Sequence, residues 1–199
     1  LWCQLFSEPS AGIDLAAVRT RAVREGDQWV IKGQKVWTSG AQVADYGILL
    51  ARTDPDLPKH QGLTFFLLDM RLPGVDVRPI KQISGHSEFN EVFFDDVVLN
   101  DTCRLGEINQ GWSVAMHALT AERFKRLNTR MPSMQSVLQL AEDCALEGVK
   151  AIDVDSVRQQ LAGSLANKCA LEHFMSRMLT QLSKGEELGS EASILKLMS

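Results

Sequence analysis

Tyr46-Gly47-Ile48-Leu49-Leu50-Ala51-Arg52, then Thr53-Asp54-Pro55-Asp56, then Leu63-Thr64-Phe65-Phe66-Leu67-Leu68: two apolar runs of strand length flank a cluster of turn formers. The gap between them is too short and too polar for a helix, so the pair reads as consecutive strands. The same alternation of run and turn continues on both sides. Gln28-Trp29-Val30-Ile31-Lys32 lies upstream, and Val75-Asp76-Val77 and Glu91-Val92-Phe93-Phe94 lie downstream. Turn chemistry separates them at Glu25-Gly26-Asp27, Lys32-Gly33-Gln34, Leu72-Pro73-Gly74 and Ser84-Gly85-His86. Short strands this close together predict an antiparallel β-barrel or sandwich over residues 1–105.

After Gly106 the period changes from two to that of a helix. Trp112, Met116, Leu119 and Leu127 fall on one face of a helix running from Gln110 to about Arg130. Ser133 is placed to cap a second helix carrying Val137, Leu138, Ala141 and Cys144. Asp155 or Ser156 opens a third, which Lys184-Gly185 ends, and a fourth starts at Glu191. Strands in one block and helices in the next make the chain α+β rather than doubly wound. The expected division is a β domain over 1–105 and a helical bundle domain over 106–199.

Composition narrows the function classes. The chain has 199 residues, 45% hydrophobic and 23% charged, which is ordinary for a globular protein. A net charge of −4 argues against a nucleic-acid partner. No apolar run approaches the roughly 20 residues that span a bilayer, and no basic-then-apolar leader is visible. Cys3, Cys103, Cys144 and Cys169 show no metal-ligand spacing, and His60, His86, His117 and His173 are equally scattered. A cytoplasmic protein with reduced thiols and no metal site is the expectation. GxGxxG, GxxxxGK[ST], GxSxG and HExxH are all missing.

Two polar segments carry the chemistry. Ser7-Glu8-Pro9-Ser10-Ala11-Gly12-Ile13-Asp14 and Gln34-Lys35-Val36-Trp37-Thr38-Ser39-Gly40 offer hydroxyls, free backbone N–H groups and an indole. A flat, polar-edged aromatic ring such as a flavin needs those parts: a stacking face and hydrogen-bonding groups along its rim. Ser7 and Ser39 suit the ring's heteroatoms, Trp37 supplies a π-face, and the glycines permit close backbone approach.

These segments resemble those of the acyl-CoA dehydrogenase family. Trp2 to Ala16 is similar to its "CxxxTEPxAGSD" segment and Gly33 to Ala41 to its "GxKxWITNG" segment. Glu88 to Asn100 looks like its "vxFxdVxVP" strand, and Gly111-Trp112-Ser113-Val114-Ala115-Met116 like the start of its first C-terminal helix. The resemblance implies an FAD cofactor, an acyl-CoA substrate, an electron-transferring flavoprotein as acceptor and a homo- or hetero-tetramer. By motif position it implies that Gln4, Phe6, Ser7 and Gly12 line the flavin from the first segment, and Trp37, Thr38 and Ser39 from the second. It further implies a central β domain and about half of an up-down four-helix bundle. That agrees with a start, Trp2-Cys3-Gln4-Leu5-Phe6, that reads as an element already under way, and with an end that still looks helical. A fragment lacking both ends of its parent is the expectation, with weak retention of FAD on its own.

Three features depart from the family pattern. Ile13 stands where the family usually has Ser, and Ser10 where it usually has Gly. Ile13 offers no side-chain donor to a phosphate. The stretch Leu146-Glu147-Gly148-Val149-Lys150-Ala151-Ile152 lacks the Arg-x-x-Phe-Gly segment, as in bacterial members built from paired unlike subunits that act on steroid side chains.

On the first helix, Arg123 falls inside the apolar face and Glu122 at its edge. A charged residue on a buried face is rare unless paired or functional. An ordinary surface pair of Glu122 with Arg126 is the alternative. The resemblance implies that Glu122-Arg123 matches the Glu-Arg pair of the isovaleryl and long-chain branches. Glu122 would then be the base that removes the substrate α-proton, with Arg123 orienting it or lining the acyl pocket. The expected activity is α,β-dehydrogenation of an acyl-CoA to a trans-2-enoyl-CoA. The alternatives are a non-catalytic partner subunit of a mixed oligomer, favoured by Ile13 and Ser10, and a flavin monooxygenase or oxidase on the same fold.

Overall fold

A computed structural model describes residues 1–127 and 133–186, with side chains described for all of these except 123–127. The expected continuation of the first helix past 127 and the fourth helix from Glu191 lie outside the described residues. Contacts divide the chain into two compact units, Leu1–Ala118 and Leu119–Ser199.

The first unit is built on β1 (Trp2–Leu5), β2 (Arg21–Glu25), β3 (Gln28–Ser39), β4 (Tyr46–Arg52), β5 (Leu63–Asp69), β6 (Val75–Ile80), β7 (Phe89–Asn100) and β8 (Arg104–Leu105). They form one sheet in the order β6-β7-β3-β2-β4-β5-β8. The second edge of β4 is shared: β1 runs parallel to Tyr46–Leu49, and β2 touches it at Arg52. The pairings of β2 with β3, β3 with β7, β4 with β5 and β6 with β7 are antiparallel.

The sheet does not close, since β6 and β8 end it. Of the two all-β readings, the sandwich is therefore the one observed. The Trp29 and Phe66 rings meet edge to face, 5.3 Å apart, although β2 and β4 lie between their strands in the sheet order. The sheet thus folds over on itself, and one core of Leu5, Ile31, Leu49, Phe66, Val92 and Val97 fills the interior.

The strands from the Tyr46 run and the Leu63 run sit where their sequences put them. Two places differ. Arg21–Glu25 is a strand, although its charges hid it; only Ala22 of its five residues is buried. Lys32-Gly33-Gln34 is no turn but the middle of the twelve-residue β3. Gly33 is there for clearance: a Cβ on it would stand 2.7 Å from the Thr20 backbone, and the register with β7 shifts beside it. Helix α1 (Gly111–Leu127) begins in this unit, with Gly111 tight against the backbone of Thr64 and the Trp112 ring edge-on to His60.

The second unit contains α2 (Met134–Asp143), the two-residue strands β9 (Ala145–Leu146) and β10 (Val149–Lys150), and α3 (Asp155–Ser183). Ser133 caps α2 by accepting from the Ser136 N–H. Gly185, at φ +76°, ends α3 with Glu186 N–H donating to Gln181 O and Gly185 N–H to Leu182 O, the Schellman pattern that its sequence predicts. No described helix is long and apolar enough to cross a membrane.

Candidate functional site

The two polar segments singled out in the sequence are hydrogen-bonded neighbours. β1 runs into Phe6-Ser7-Glu8, and the Ser7 carbonyl accepts from the Val36 N–H at 2.9 Å. Beneath that bond lies an ion pair. The Lys35 ammonium donates to Glu8 Oε1 at 2.8 Å and to the Phe6 carbonyl at 2.9 Å. The other Glu8 contacts come from backbone: Arg19 N–H donates to Oε2 at 2.7 Å and Thr20 N–H to Oε1 at 2.9 Å. Side-chain exposure is 0% for Lys35 and 5% for Glu8. One carboxylate and one ammonium thus fasten three stretches, 6–8, 19–20 and 35–36.

The electrostatics follow from that burial. Loss of water pushes the Lys35 ammonium down to about 8, with Glu8 pulling the other way. Burial by itself would raise Glu8, but the charge of Lys35 and the hydrogen bonds from Lys35, Arg19 and Thr20 outweigh it and leave the carboxyl below its usual range. At neutral pH both groups are charged. A buried pair with its remaining valences satisfied holds one geometry and strongly penalises loss of either partner.

Past the ion pair, β3 breaks its alternation. Lys35 and Val36 are both buried, Trp37 has φ +60°, and the register with β7 shifts between Lys35 and Thr38. This is a β-bulge, which re-aims a side chain. It leaves the Trp37 ring 59% exposed, with its edge against Phe89 at 6.2 Å. The next residue, Thr38, pairs with Asn90 of β7, and both are buried. The Asn90 amide donates to Thr38 O at 2.9 Å and to Gln42 Oε1 at 2.5 Å. Thr38 Oγ1 and Asn90 Oδ1 are left with no hydrogen-bond partner among the described residues. Each orphan costs about 1–3 kcal/mol unless something else satisfies it. Ser39 closes the strand, exposed, opposite Phe89.

The other sequence candidates are placed as follows. Ser7 is half-buried at the junction of the segments, and Gln4 is exposed on β1 opposite Ile48. The Phe6 ring is buried edge-on to Phe65 at 5.8 Å, so Phe6 brings its backbone to this junction and its ring to the core. Gly12 is exposed, and a Cβ there would meet nothing within 4 Å. Ile13 is fully exposed. Glu122 is half-buried on α1, in the second unit; Arg123 belongs to the same helix, and its side chain lies outside the described residues. The arrangement around Trp37 offers a flat ligand one open aromatic face, next in sequence to a buried pair, Thr38 and Asn90, with unspent polar atoms.

Comparison with known proteins bears on this arrangement. The model of the acyl-CoA dehydrogenase middle domain matches residues 3–97, and that of the acyl-CoA dehydrogenase C-terminal domain matches residues 109–199. The chain belongs to the acyl-CoA dehydrogenase family. Acyl-CoA dehydrogenase FadE34 of Mycobacterium tuberculosis is 42% identical over all of this chain and 27% of its own length. Among solved acyl-CoA dehydrogenases, the Tcur3481-Tcur3483 steroid ACAD G363A variant superposes with a TM-score of 0.84 at 31% identity, over 100% of this chain and 51% of that one. The ChsE4-ChsE5 complex of Mycobacterium tuberculosis gives 0.79 at 30%, again over 100% and 51%. The chain therefore spans about half the length of these two solved chains, and about a quarter of FadE34. The fold of this family member, a strand sandwich followed by helices, is one of the two its sequence leaves open, a barrel or a sandwich ahead of helices.

Lys35, Glu8 and Asn90 were not among the residues the sequence singled out for the site. Lys35 has a signal in hindsight: it keeps the inward parity of Trp29, Ile31 and Gly33 along β3, so a lysine falls where an apolar residue is due. Asn90 carries the same signal on β7, where it shares the inward parity of Val92 and Phe94, whereas Glu8 lies in a loop with no such pattern.

Proposed function

We propose that the full-length protein is an FAD-dependent acyl-CoA dehydrogenase that converts an acyl-CoA thioester to a trans-2-enoyl-CoA. The observation that carries this reading is the junction of the two polar segments, with Trp37 turned outward by a bulge and Thr38 Oγ1 and Asn90 Oδ1 buried and unspent. Those parts fit a flavin: a stacking face, polar atoms awaiting a partner, and open space over Gly12. When bound, FAD supplies the hydride acceptor.

The chain's own residues supply the rest. Trp37 covers one face of the ring, Thr38 and Ser39 meet its polar rim, and Ser7, Gln4, Gly12 and the Phe6 backbone border it from the first segment. Glu122 takes the α-proton of the thioester, and Arg123 orients that carboxylate or lines the acyl pocket. An electron-transferring flavoprotein as acceptor, a tetrameric assembly and a cytoplasmic location belong to the same proposal. The relatives named for a steroid ACAD support a bulky acyl substrate of steroid side-chain type.

The test is a visible spectrum of the full-length protein. A yellow protein that bleaches anaerobically on addition of an acyl-CoA supports the reading, and a yellow protein indifferent to every acyl-CoA overturns it. A second reading, a partner subunit in a mixed oligomer, is favoured by the fully exposed Ile13 on the first segment and by the likeness to the ChsE4-ChsE5 complex. It expects a colourless protein that gains FAD only with a second polypeptide.

A further inference from the structure

Among the described residues, Lys35 and Glu8 are the only charged side chains that are buried, and the reaction proposed above uses neither. A buried ion pair contributes little net stability, since desolvation offsets much of the attraction. What such a pair can fix is register, as a lone polar residue does in a coiled coil. The register at stake here is that of the two polar segments. Three hydrogen bonds tie residues 6–8 to residues 35–36. Lys35 supplies two, to the Phe6 carbonyl at 2.9 Å and to Glu8 Oε1 at 2.8 Å, and the Val36 N–H supplies the third, to Ser7 O at 2.9 Å. Ser7 sits inside this lacing and Trp37 one residue past it. The sheet itself gives little guidance at this place. Trp37 stands at φ +60°, and the register of β3 with β7 shifts between Lys35 and Thr38. A bulge interrupts the ladder and leaves local register to the side chains.

Glu8 carries the mooring to a third stretch. It accepts from the Arg19 and Thr20 N–H groups. The Thr20 hydroxyl donates to Gln34 O at 3.3 Å, and the Thr20 carbonyl accepts from the Arg52 N–H at 2.7 Å. The first polar segment is thus tied to β3 directly and to β4 through residues 19–20. Apolar packing offers no substitute: between Glu8 and Asp14 only Ala11 is buried. Removing the pair would leave residues 6–8 and 35–36 joined by the single bond from Val36 to Ser7.

We propose that Lys35 and Glu8 are the positioning pair of the flavin site, holding Ser7 and Trp37 in one register before FAD arrives, so that binding does not have to order the two segments. The inference rests on the flavin reading above. Without the pair, only the molecules that hold the register by chance bind FAD, and the apparent affinity falls by that fraction. The test uses the full-length protein prepared free of flavin, as wild type, Lys35→Met/Glu8→Leu and Leu99→Ala. Leu99 lies in the core opposite Trp29, at the far end of β3, so its truncation lowers stability without touching the pair. FAD affinity is read by fluorescence titration, and amide hydrogen exchange of Val36 is compared with that of β5. In the double variant Val36 should exchange faster than the β5 amides do, and FAD affinity should fall about tenfold or more. In Leu99→Ala, Val36 and β5 should change together, and FAD affinity should stay within about twofold of wild type. Glu8→Gln, which keeps the shape and one acceptor oxygen, gives the same comparison with a smaller change. Variants of the pair that bind FAD as tightly as wild type overturn the inference, as does a Leu99→Ala protein that loses affinity to the same extent, since affinity would then follow stability alone. A wild type that takes up no FAD overturns the flavin reading itself, and the role of the pair with it.

Discussion

Lys35 is an ammonium with no water around it, held by one carboxylate and one carbonyl. Lys35→Met leaves the Glu8 carboxylate buried with no counter-charge, and should cost about 3–5 kcal/mol in urea unfolding. The double variant Lys35→Met/Glu8→Leu should recover only part of that loss, because it removes the unpaired charge but leaves the Arg19 and Thr20 N–H groups without their acceptor. Trp37 presents the opposite case. A bulky residue at φ +60° stores about 1–3 kcal/mol of backbone strain, and its ring is mostly exposed. Trp37→Gly should therefore leave the unfolding midpoint unchanged or raised, while weakening FAD binding by tenfold or more in a fluorescence titration. At this scale the two polar segments around Ser7 and Trp37 stood out in the sequence, because a hydroxyl-rich run beside an indole has a chemical meaning before any fold is known; their contact through the Ser7–Val36 hydrogen bond was not readable there. Nor was the Lys35–Glu8 pair, since its partners are 27 residues apart and neither strand pattern points to the other.

Among the elements, β3 does most to shape the site. Its far end is pinned by a cluster off the sheet edge: the Trp29 indole donates to Asp101 Oδ1 at 2.7 Å, and Arg104 donates to the same carboxylate at 3.1 and 3.2 Å. Those bonds, the Arg104 one first, hold the Asp101 carboxyl at about 2 against its usual 3.8. The folded state thus binds this proton less tightly than the unfolded chain does. The stability contributed is complete above the unfolded value and disappears as pH falls from about 4 to 2. The urea midpoint of wild type should fall through that window more steeply than that of Asp101→Asn, which has no charge to lose. The elements legible in sequence were those with uninterrupted apolar runs or capping residues: β4, β5, and the ends of α2 and α3 at Ser133 and Gly185. β2 was hidden because only one of its residues faces the core. The middle of β3 was misread because Gly33 there relieves a clash with Thr20 instead of making a turn.

For the molecule as a whole, the sequence announced an all-β domain followed by helices because the hydrophobic period changes after Gly106, a property of composition along the chain that needs no contact information. What it left open, barrel or sandwich, is decided by long-range geometry: the sheet ends at β6 and β8, and Trp29 reaches Phe66 across two intervening strands. The catalytic proposal also belongs at this scale, because it concerns the activity of the full-length protein. Glu122→Gln keeps the shape and hydrogen-bonding reach of the side chain while removing its basicity. In the full-length protein it should leave FAD binding intact and lower the rate of dehydrogenation by about 10²-fold or more. The direct measurement is anaerobic addition of an acyl-CoA to the FAD-loaded full-length protein, wild type and Glu122→Gln, followed by the flavin absorbance. Stoichiometric bleaching in the wild type, with a Gln variant that stays yellow, is the predicted result; a wild type that stays yellow, or a Gln variant that bleaches as fast, contradicts it.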